Sequence, residues 1–252
     1  MYMRLLQLRV SQENLPILKG FYDKIVIPHL QQIKGCLLAE LIYDGQQQDK
    51  FLSLTLWDAQ ESVEKYEKSG AFKKLFEQVK PILSESSEWK VQLSQDLELQ
   101  YVPVAEEPVL KKLSVTAQTG DAKADAQAVL PMCVRIVSAK LKPGKTDEFR
   151  KIYTEDVITV LKETQGCLYV YLTENSQHPE EIFSVTLWAS KEDAERYEKS
   201  GTFAQLVDKT KRTFSQLYQW KMALENNPNT GIRSGENLSV EKYSIITGKK
   251  FS

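Results

Sequence analysis

The sequence predicts an α+β protein: two copies of one β-α-β-β-α-β unit, packed into a single pseudo-symmetric barrel. Three observations carry that expectation. One long segment recurs without gaps, each copy switches between strand-like and helix-like apolar spacing in the same order, and the strands are apolar on both faces. "LTLWDAQESVEKYEKSGAFKKL" begins at Leu54, and "VTLWASKEDAERYEKSGTFAQL" begins at Val185.

Trp57 falls on Trp188, a shift of 131 positions. The same shift carries Arg4 onto Arg135, Tyr22 onto Tyr153, Gly35-Cys36-Leu37 onto Gly166-Cys167-Leu168 and Trp89-Lys90 onto Trp220-Lys221. A period this long is a duplicated domain and not a short solenoid repeat. The first repeat is placed at 1–95 and the second at 131–225. Between them, 96–130 is small and charged and reads as a linker with one possible extra strand in "KKLSVTAQT". The tail, 226–252, has a loop, "NNPNTGIRSGEN", and another possible strand, "EKYSIITGKKF".

Within each repeat the elements follow in order. "MRLLQLRV" and "CVRIVSAKL" open the copies as strands. Leu15, Leu18, Phe21, Tyr22, Ile25, Val26, Leu30 and Ile33 form one broad helical stripe, which Pro28 should kink or split and Thr159, its counterpart, need not. Gly35 and Gly166 sit where a left-handed residue ends a helix. "CLLAELIYD" and "CLYVYLTEN" are second strands; a polar turn leads to the third, "FLSLTLW" and "IFSVTLW". Asp58 with Glu61, and Ser190 with Asp193, read as N-cap pairs. The second helix is interrupted by "SGAF" or "SGTF", because glycine inside a helix costs about 1 kcal/mol. A last strand is expected near Trp89 and Trp220. This is the ferredoxin-like order. Its sheet has helices on one face and needs cover on the other, which a tethered second copy supplies.

Composition narrows the functional classes. Lys and Arg total 33 against 34 Asp and Glu, so no net field favours nucleic acid or an anionic membrane. No apolar run approaches the roughly 20 residues of a membrane span, and no secretory signal pattern is seen. Cys36, Cys133 and Cys167 lie in strand-like runs with no metal or redox spacing, so reduced thiols in a cytoplasmic protein are expected. With only His29 and His178 besides, no metal site is expected. His29 has no counterpart in the second copy and reads as surface.

The strand ending in Trp, the aromatic residue nine positions on and the "S-G-x-F" break resemble the antibiotic biosynthesis monooxygenase family, across nearly all of both repeats. The resemblance implies a dimeric α+β barrel, formed here within one chain; whether chains also pair stays open. The family includes cofactor-independent oxygenases of phenolic compounds and haem-degrading enzymes. The resemblance aligns the haem branch's iron-binding histidine with Phe76 and Val207. Its aromatic aligns with Tyr66 and Tyr197, and its strand asparagine with Leu8 and Ala139. Phenylalanine cannot coordinate iron, so haem chemistry is disfavoured. What is implied instead is a pocket between sheet and helices for a small aromatic or quinol-type molecule, with dioxygen and no cofactor. The alternative is a non-catalytic binding or assembly module.

Candidate residues are those facing that pocket. Tyr66 and Tyr197 could donate to a substrate oxygen, or be ordinary core tyrosines. Arg4 and Arg135 could stabilise a phenolate, or reach out to solvent. Trp57 and Trp188 could wall the pocket or plug the core. Ser53 with Thr55, and Ser184 with Thr186, share their strand face by alternation. They line a cavity or meet across the repeat interface. Phe76 would add an aromatic surface. Leu38 and Glu40 become Tyr169 and Tyr171 in the second copy, which marks that copy as the preferred ligand site. "EKYEKSG" and "ERYEKSG" read as solvated helix charge.

Overall fold

A computed structural model describes residues 1–44, 49–84, 89–93, 99–103, 110–119, 133–215 and 238–251. In the first repeat β1 (Tyr2–Arg9) leads to α1 (Leu15–Phe21), a π-helical turn (Tyr22–Val26) and α2 (Ile27–Gln31). These are followed by β2 (Cys36–Asp44), β3 (Lys50–Trp57), α3 (Gln60–Lys68) and α4 (Ala71–Val79). Three more strands come next: β4 (Trp89–Leu93), β5 (Leu99–Pro103) and β6 (Leu110–Gln118). The second repeat has β7 (Cys133–Lys140), α5 (Thr146–Ile152), a π-helical turn (Tyr153–Val157) and α6 (Ile158–Glu163). It continues with β8 (Cys167–Asn175), β9 (Glu181–Trp188), α7 (Lys191–Lys199) and α8 (Thr202–Thr210), and β10 (Leu238–Lys250) closes it.

Eight strands form a closed antiparallel barrel in the order β1-β3-β2-β10-β7-β9-β8-β6. The strand beginning at Trp89 is not one of them. It pairs with β5, Trp89 opposite Pro103, in a separate two-stranded sheet; Trp220 lies outside the described residues. The fourth place in each repeat's sheet is taken instead by β6 and β10. Each lies beside its own repeat's first strand and the other repeat's second: β6 joins β1 to β8, and β10 joins β7 to β2. Residues 96–130 and 226–252 therefore hold the two seams of the barrel.

The strands are apolar on both faces because both are buried. Met3, Leu5, Leu54 and Leu56 meet Val134, Ile136, Val185 and Leu187 in a barrel core drawn from both repeats. On the outer face each repeat packs its own helices. Parity decides the face: Arg4, Leu6, Leu8, Ser53 and Thr55 look toward helices, and Leu52, Leu54, Tyr169 and Tyr171 toward the barrel.

Several local expectations are corrected. The first helix carries a π-helical turn in both repeats, although only one has Pro28, so the proline does not cause it. Ser190 does cap its helix, its hydroxyl accepting from the Asp193 N–H at 3.1 Å. In the first repeat the N-cap residue is Ala59, with no side-chain cap, and Asp58 accepts from the Ser62 hydroxyl at 2.7 Å. Gly166 has φ 82°, and a Cβ there would overlap the Asp193 carboxyl; Gly201 has φ 81° with open space around it. Gly201→Ala therefore costs only backbone strain, about 1 kcal/mol, whereas Gly166→Ala adds a steric clash and costs about 2–3 kcal/mol. Urea unfolding of the two variants reads the difference directly; equal losses would show that Asp193 yields freely.

Candidate functional site

Among the described residues, each repeat has a narrow, partly open cavity between its sheet and its helices, of about 60 Å³ in the first and 50 Å³ in the second. Arg4, Leu6 and Leu8 of β1 and Ser53 and Thr55 of β3 form the floor in the first repeat. Tyr22, Val26 and Leu30, then Tyr66, Phe72 and Phe76, form the roof. The second cavity is built likewise from Arg135, Ala139, Ser184, Tyr153, Tyr197, Phe203 and Val207. The π-helical turn holds Tyr22 and Tyr153 over the floor. The Tyr22 hydroxyl meets Ser53 Oγ at 3.0 Å, and Tyr153 meets Ser184 Oγ at 2.5 Å.

The arginines do not reach solvent. Arg4 is 4% exposed and Arg135 2%. Each guanidinium lies over aromatic rings: Arg4 4.6 Å from the Phe72 centroid and 5.6 Å from Tyr66, Arg135 4.2 Å from Phe203 and 5.6 Å from Tyr197. A carboxylate braces each from the helix end. Glu67 Oε1 is 3.2 Å from Arg4 Nη2, and Arg135 Nε donates to Glu198 Oε1 at 2.7 Å. The closing strands complete the network, with Lys112 Nζ 2.5 Å from Glu67 and Lys242 Nζ 2.6 Å from Glu198. Arg4 Nε and Arg135 Nη2 are buried with no hydrogen-bond partner. Unpaired buried donors beside an apolar cavity are costly alone and suit an incoming anion or carbonyl oxygen.

Burial lowers the Arg4 pKa, while Glu67 and Tyr66 favour its charge. Burial pushes Tyr66 and Tyr197 up to about 12, Arg4 and Arg135 only partly offsetting it. Tyr22 and Tyr153 are pushed up further still by burial. At neutral pH all four phenols are donors, not bases. Cys36 and Cys167 are also pushed up to about 12 by burial and stay thiols.

The structure brings Arg4, Tyr66, Ser53, Thr55 and Phe76 together at one cavity, and Arg135, Tyr197 and Ser184 at the other. It does not bring the rest there. Trp57 and Trp188 are fully buried behind the tyrosines, 5.2 Å from the rings of Tyr66 and Tyr197, off the cavity walls. Their indole N–H groups donate to Thr55 at 3.0 Å and Thr186 at 2.9 Å, so Thr186 is occupied away from the second cavity. Tyr169 and Tyr171 point into the barrel core, so they do not make the second cavity the better ligand site. Tyr22, Tyr153, Glu67, Glu198, Lys112 and Lys242 are site residues that sequence reasoning passed over. The matching Tyr22/Tyr153 and Ser53/Ser184 pairs were the available signal.

The family model of antibiotic biosynthesis monooxygenases matches this chain twice, over residues 1–78 and 132–209. The chain belongs to that family. Two solved bacterial structures, each described as a "putative monooxygenase", share its architecture at 11% identity. The one from Fusobacterium nucleatum has a TM-score of 0.68 and covers 99% of this chain and 94% of its own. The one from Lactobacillus acidophilus has 0.66, with 99% and 95% covered. An anthrone oxidase-like protein aligns at 0.54 and 11% identity, covering 99% and 93%. At that identity these likenesses speak to the fold. No curated protein matches the chain. Phe76 and Val207, at the positions the resemblance assigns to a haem-binding histidine, line the cavities and offer iron no donor atom. No helix among the described residues is long and apolar enough to cross a membrane.

Proposed function

We propose that this protein is a cofactor-independent oxygenase for a small phenolic or quinol-type aromatic molecule, with dioxygen as co-substrate. The observation that carries the reading is a buried arginine with an unpartnered N–H on an aromatic-walled cavity, made twice in one chain. An electron-rich phenolate can reduce dioxygen itself, so the protein's part is to seat the ring, stabilise its anion and exclude water. Arg4 or Arg135 would hold the anionic oxygen; Tyr66 or Tyr197, protonated at neutral pH, would donate to a second oxygen. The likeness to an anthrone oxidase-like protein supports the choice of anthrones as probes.

One observation favours a second reading, a non-catalytic binding or assembly module. Cavities of about 60 and 50 Å³ fall short of the roughly 300 Å³ at which drug-sized ligand sites begin, so a polycyclic guest must displace Phe72 and Phe76 or their counterparts. The deciding experiment is oxygen uptake by metal-stripped protein with anthrones and naphthoquinols, against heat-denatured protein. Uptake that survives chelator is expected. It should fall about 10²-fold in the Arg4→Met/Arg135→Met double variant and less in Tyr66→Phe/Tyr197→Phe. Uptake no faster than with denatured protein across the panel favours the module.

A further inference from the structure

The two repeats build the same polar corner and use it differently. In each, an arginine on the first strand stands opposite a threonine on the third: Arg4 opposite Thr55, and Arg135 opposite Thr186. A glutamate from the second helix faces the arginine with one oxygen, and a lysine from a closing strand holds its other oxygen. What differs is how many donors are already spent.

In the second repeat most are. Arg135 Nε donates to Glu198 Oε1 at 2.7 Å, and the Thr186 hydroxyl donates to the Arg135 carbonyl at 3.3 Å. Thr186 is off the cavity wall, and Arg135 Nη2 is left buried without a partner. In the first repeat Glu67 Oε1 lies 3.2 Å from Arg4 Nη2 but outside hydrogen-bond geometry. Arg4 Nε, Arg4 Nη2 and Glu67 Oε1 all stay buried without a hydrogen-bond partner. The Nε–H and the neighbouring Nη2–H share one edge of a guanidinium and point in parallel, the arrangement that takes both oxygens of a carboxylate. Thr55 accepts the Trp57 indole N–H at 3.0 Å and lines the cavity; among the described residues its own hydroxyl proton has no acceptor. Lys112 Nζ, 2.5 Å from Glu67 Oε2, balances the glutamate and leaves the Arg4 charge to a guest. The rings of Phe72 and Tyr66 lie against the same guanidinium, 4.6 and 5.6 Å from its carbon, and give a flat ring its apolar wall.

We propose that the first cavity is a site for an aromatic carboxylate, with both oxygens on the Arg4 edge and one of them also on the Thr55 hydroxyl. The second cavity, with one free donor, takes a neutral phenol or carbonyl oxygen instead. This rests on reading the cavities as aromatic sites and narrows the first one's substrate to a phenolic acid. A single ring suits the small volume because it asks the least movement of Phe72 and Phe76.

Benzoate and benzamide are the probes. They are nearly equal in shape, but one is an anion with two equivalent oxygens and the other is neutral. Titrated into the full chain at pH 7 by calorimetry, benzoate should bind one per chain and at least tenfold tighter than benzamide. Arg4→Lys keeps the charge and loses the paired edge, so that preference should fall at least fivefold. Arginine Nε–H resonances locate the site in unaltered protein. The Arg4 signal should move downfield as benzoate is added, and the Arg135 signal, already bonded to Glu198, should stay. Benzoate bound no tighter than benzamide, a preference unchanged in Arg4→Lys, or both signals moving alike overturns the assignment. The first and last of these hold even if the variant does not fold. The oxygenase reading is judged apart from this one. A chain that binds benzoate as described but takes up no oxygen with the phenol panel refutes that reading alone. One that oxidises anthrones and does not bind benzoate refutes this assignment alone.

Discussion

Trp188→Ala should lower the unfolding free energy by about 4 kcal/mol, and Trp57→Ala should cost nearly as much. Both indoles are fully buried at the end of a third strand. Trp188 stands opposite Cys133 on one neighbouring strand and Cys167 on the other, so it plugs the outer face where three strands meet. Tyr197 closes over it at 5.2 Å, and its N–H is tied to Thr186. The void would be walled by the Tyr197 ring and two neighbouring strands, which places the loss in the upper range for large-to-small changes. Trp188→Phe keeps most of the volume and forfeits the hydrogen bond, so about 1–2 kcal/mol is expected. The closed barrel adds a second expectation. Each closing strand pairs with both repeats, so urea should unfold the chain in one transition, shifted alike by either tryptophan substitution. A biphasic curve in which Trp57→Ala moves one phase and Trp188→Ala the other would show that the repeats unfold separately. A loss below 1 kcal/mol would show that the neighbours collapse into the space.

The repeat, the helices and three strands of each copy can be read from sequence because they rest on local periodicity, confirmed by its recurrence at a fixed shift. The closing strands are harder. "KKLSVTAQT" and "EKYSIITGKKF" carry weak patterns, and what makes them barrel strands is pairing with both repeats, which no local window records. Trp89 misleads for the opposite reason: its match with Trp220 is conspicuous, yet among the described residues β4 pairs with β5 and not with the barrel. At the candidate site, alternation correctly groups Arg4 with Leu6 and Leu8, and Ser53 with Thr55. It cannot say which face holds the cavity, since both faces are buried. That is why the sequence puts Tyr169 and Tyr171 at the ligand site, whereas they lie in the barrel core. Glu67 and Glu198 look like solvated helix charge until Lys112 and Lys242 arrive from strands distant in sequence. His29 reads as surface, yet it is half-buried, its ring 6.5 Å from that of Tyr66 on another helix.

Raising the pH from 4.5 to 7.5 should destabilise the parent protein by about 3 kcal/mol relative to Glu40→Gln. Glu40 is on β2, faces the barrel interior and is 2% exposed, with Oε2 unpartnered. Gly248 on β10 makes room for it; a Cβ there would lie 2.6 Å from Glu40 Cγ. Burial pushes its carboxyl up to about 7, from an ordinary value of 4.5. Tyr171, its counterpart in the second repeat, feels its charge and is itself pushed up to about 12, chiefly by burial. The charged groups nearer the barrel mouth, Lys50, Asp44 and Glu241, are paired among themselves. Between pH 4.5 and 7 the unfolded chain has released the Glu40 proton and the folded chain still holds it. Stability therefore falls as pH rises through that window and levels off above it. Groups whose pKa is lowered on folding have the opposite sign and a lower window. Glu198 is one: burial raises it, but Lys242 and Arg135 outweigh burial. Asp193 is another, held down by Ser190 and Arg196. Their contributions are present above the ordinary carboxylate range and are lost on acidification below it, so they leave the Glu40 window clear. Urea midpoints for parent and Glu40→Gln at pH 4.5, 6 and 7.5 give the measurement. Parallel lines would mean that Glu40 ionises in the folded barrel as freely as in the unfolded chain, with water or a cation reaching its carboxylate.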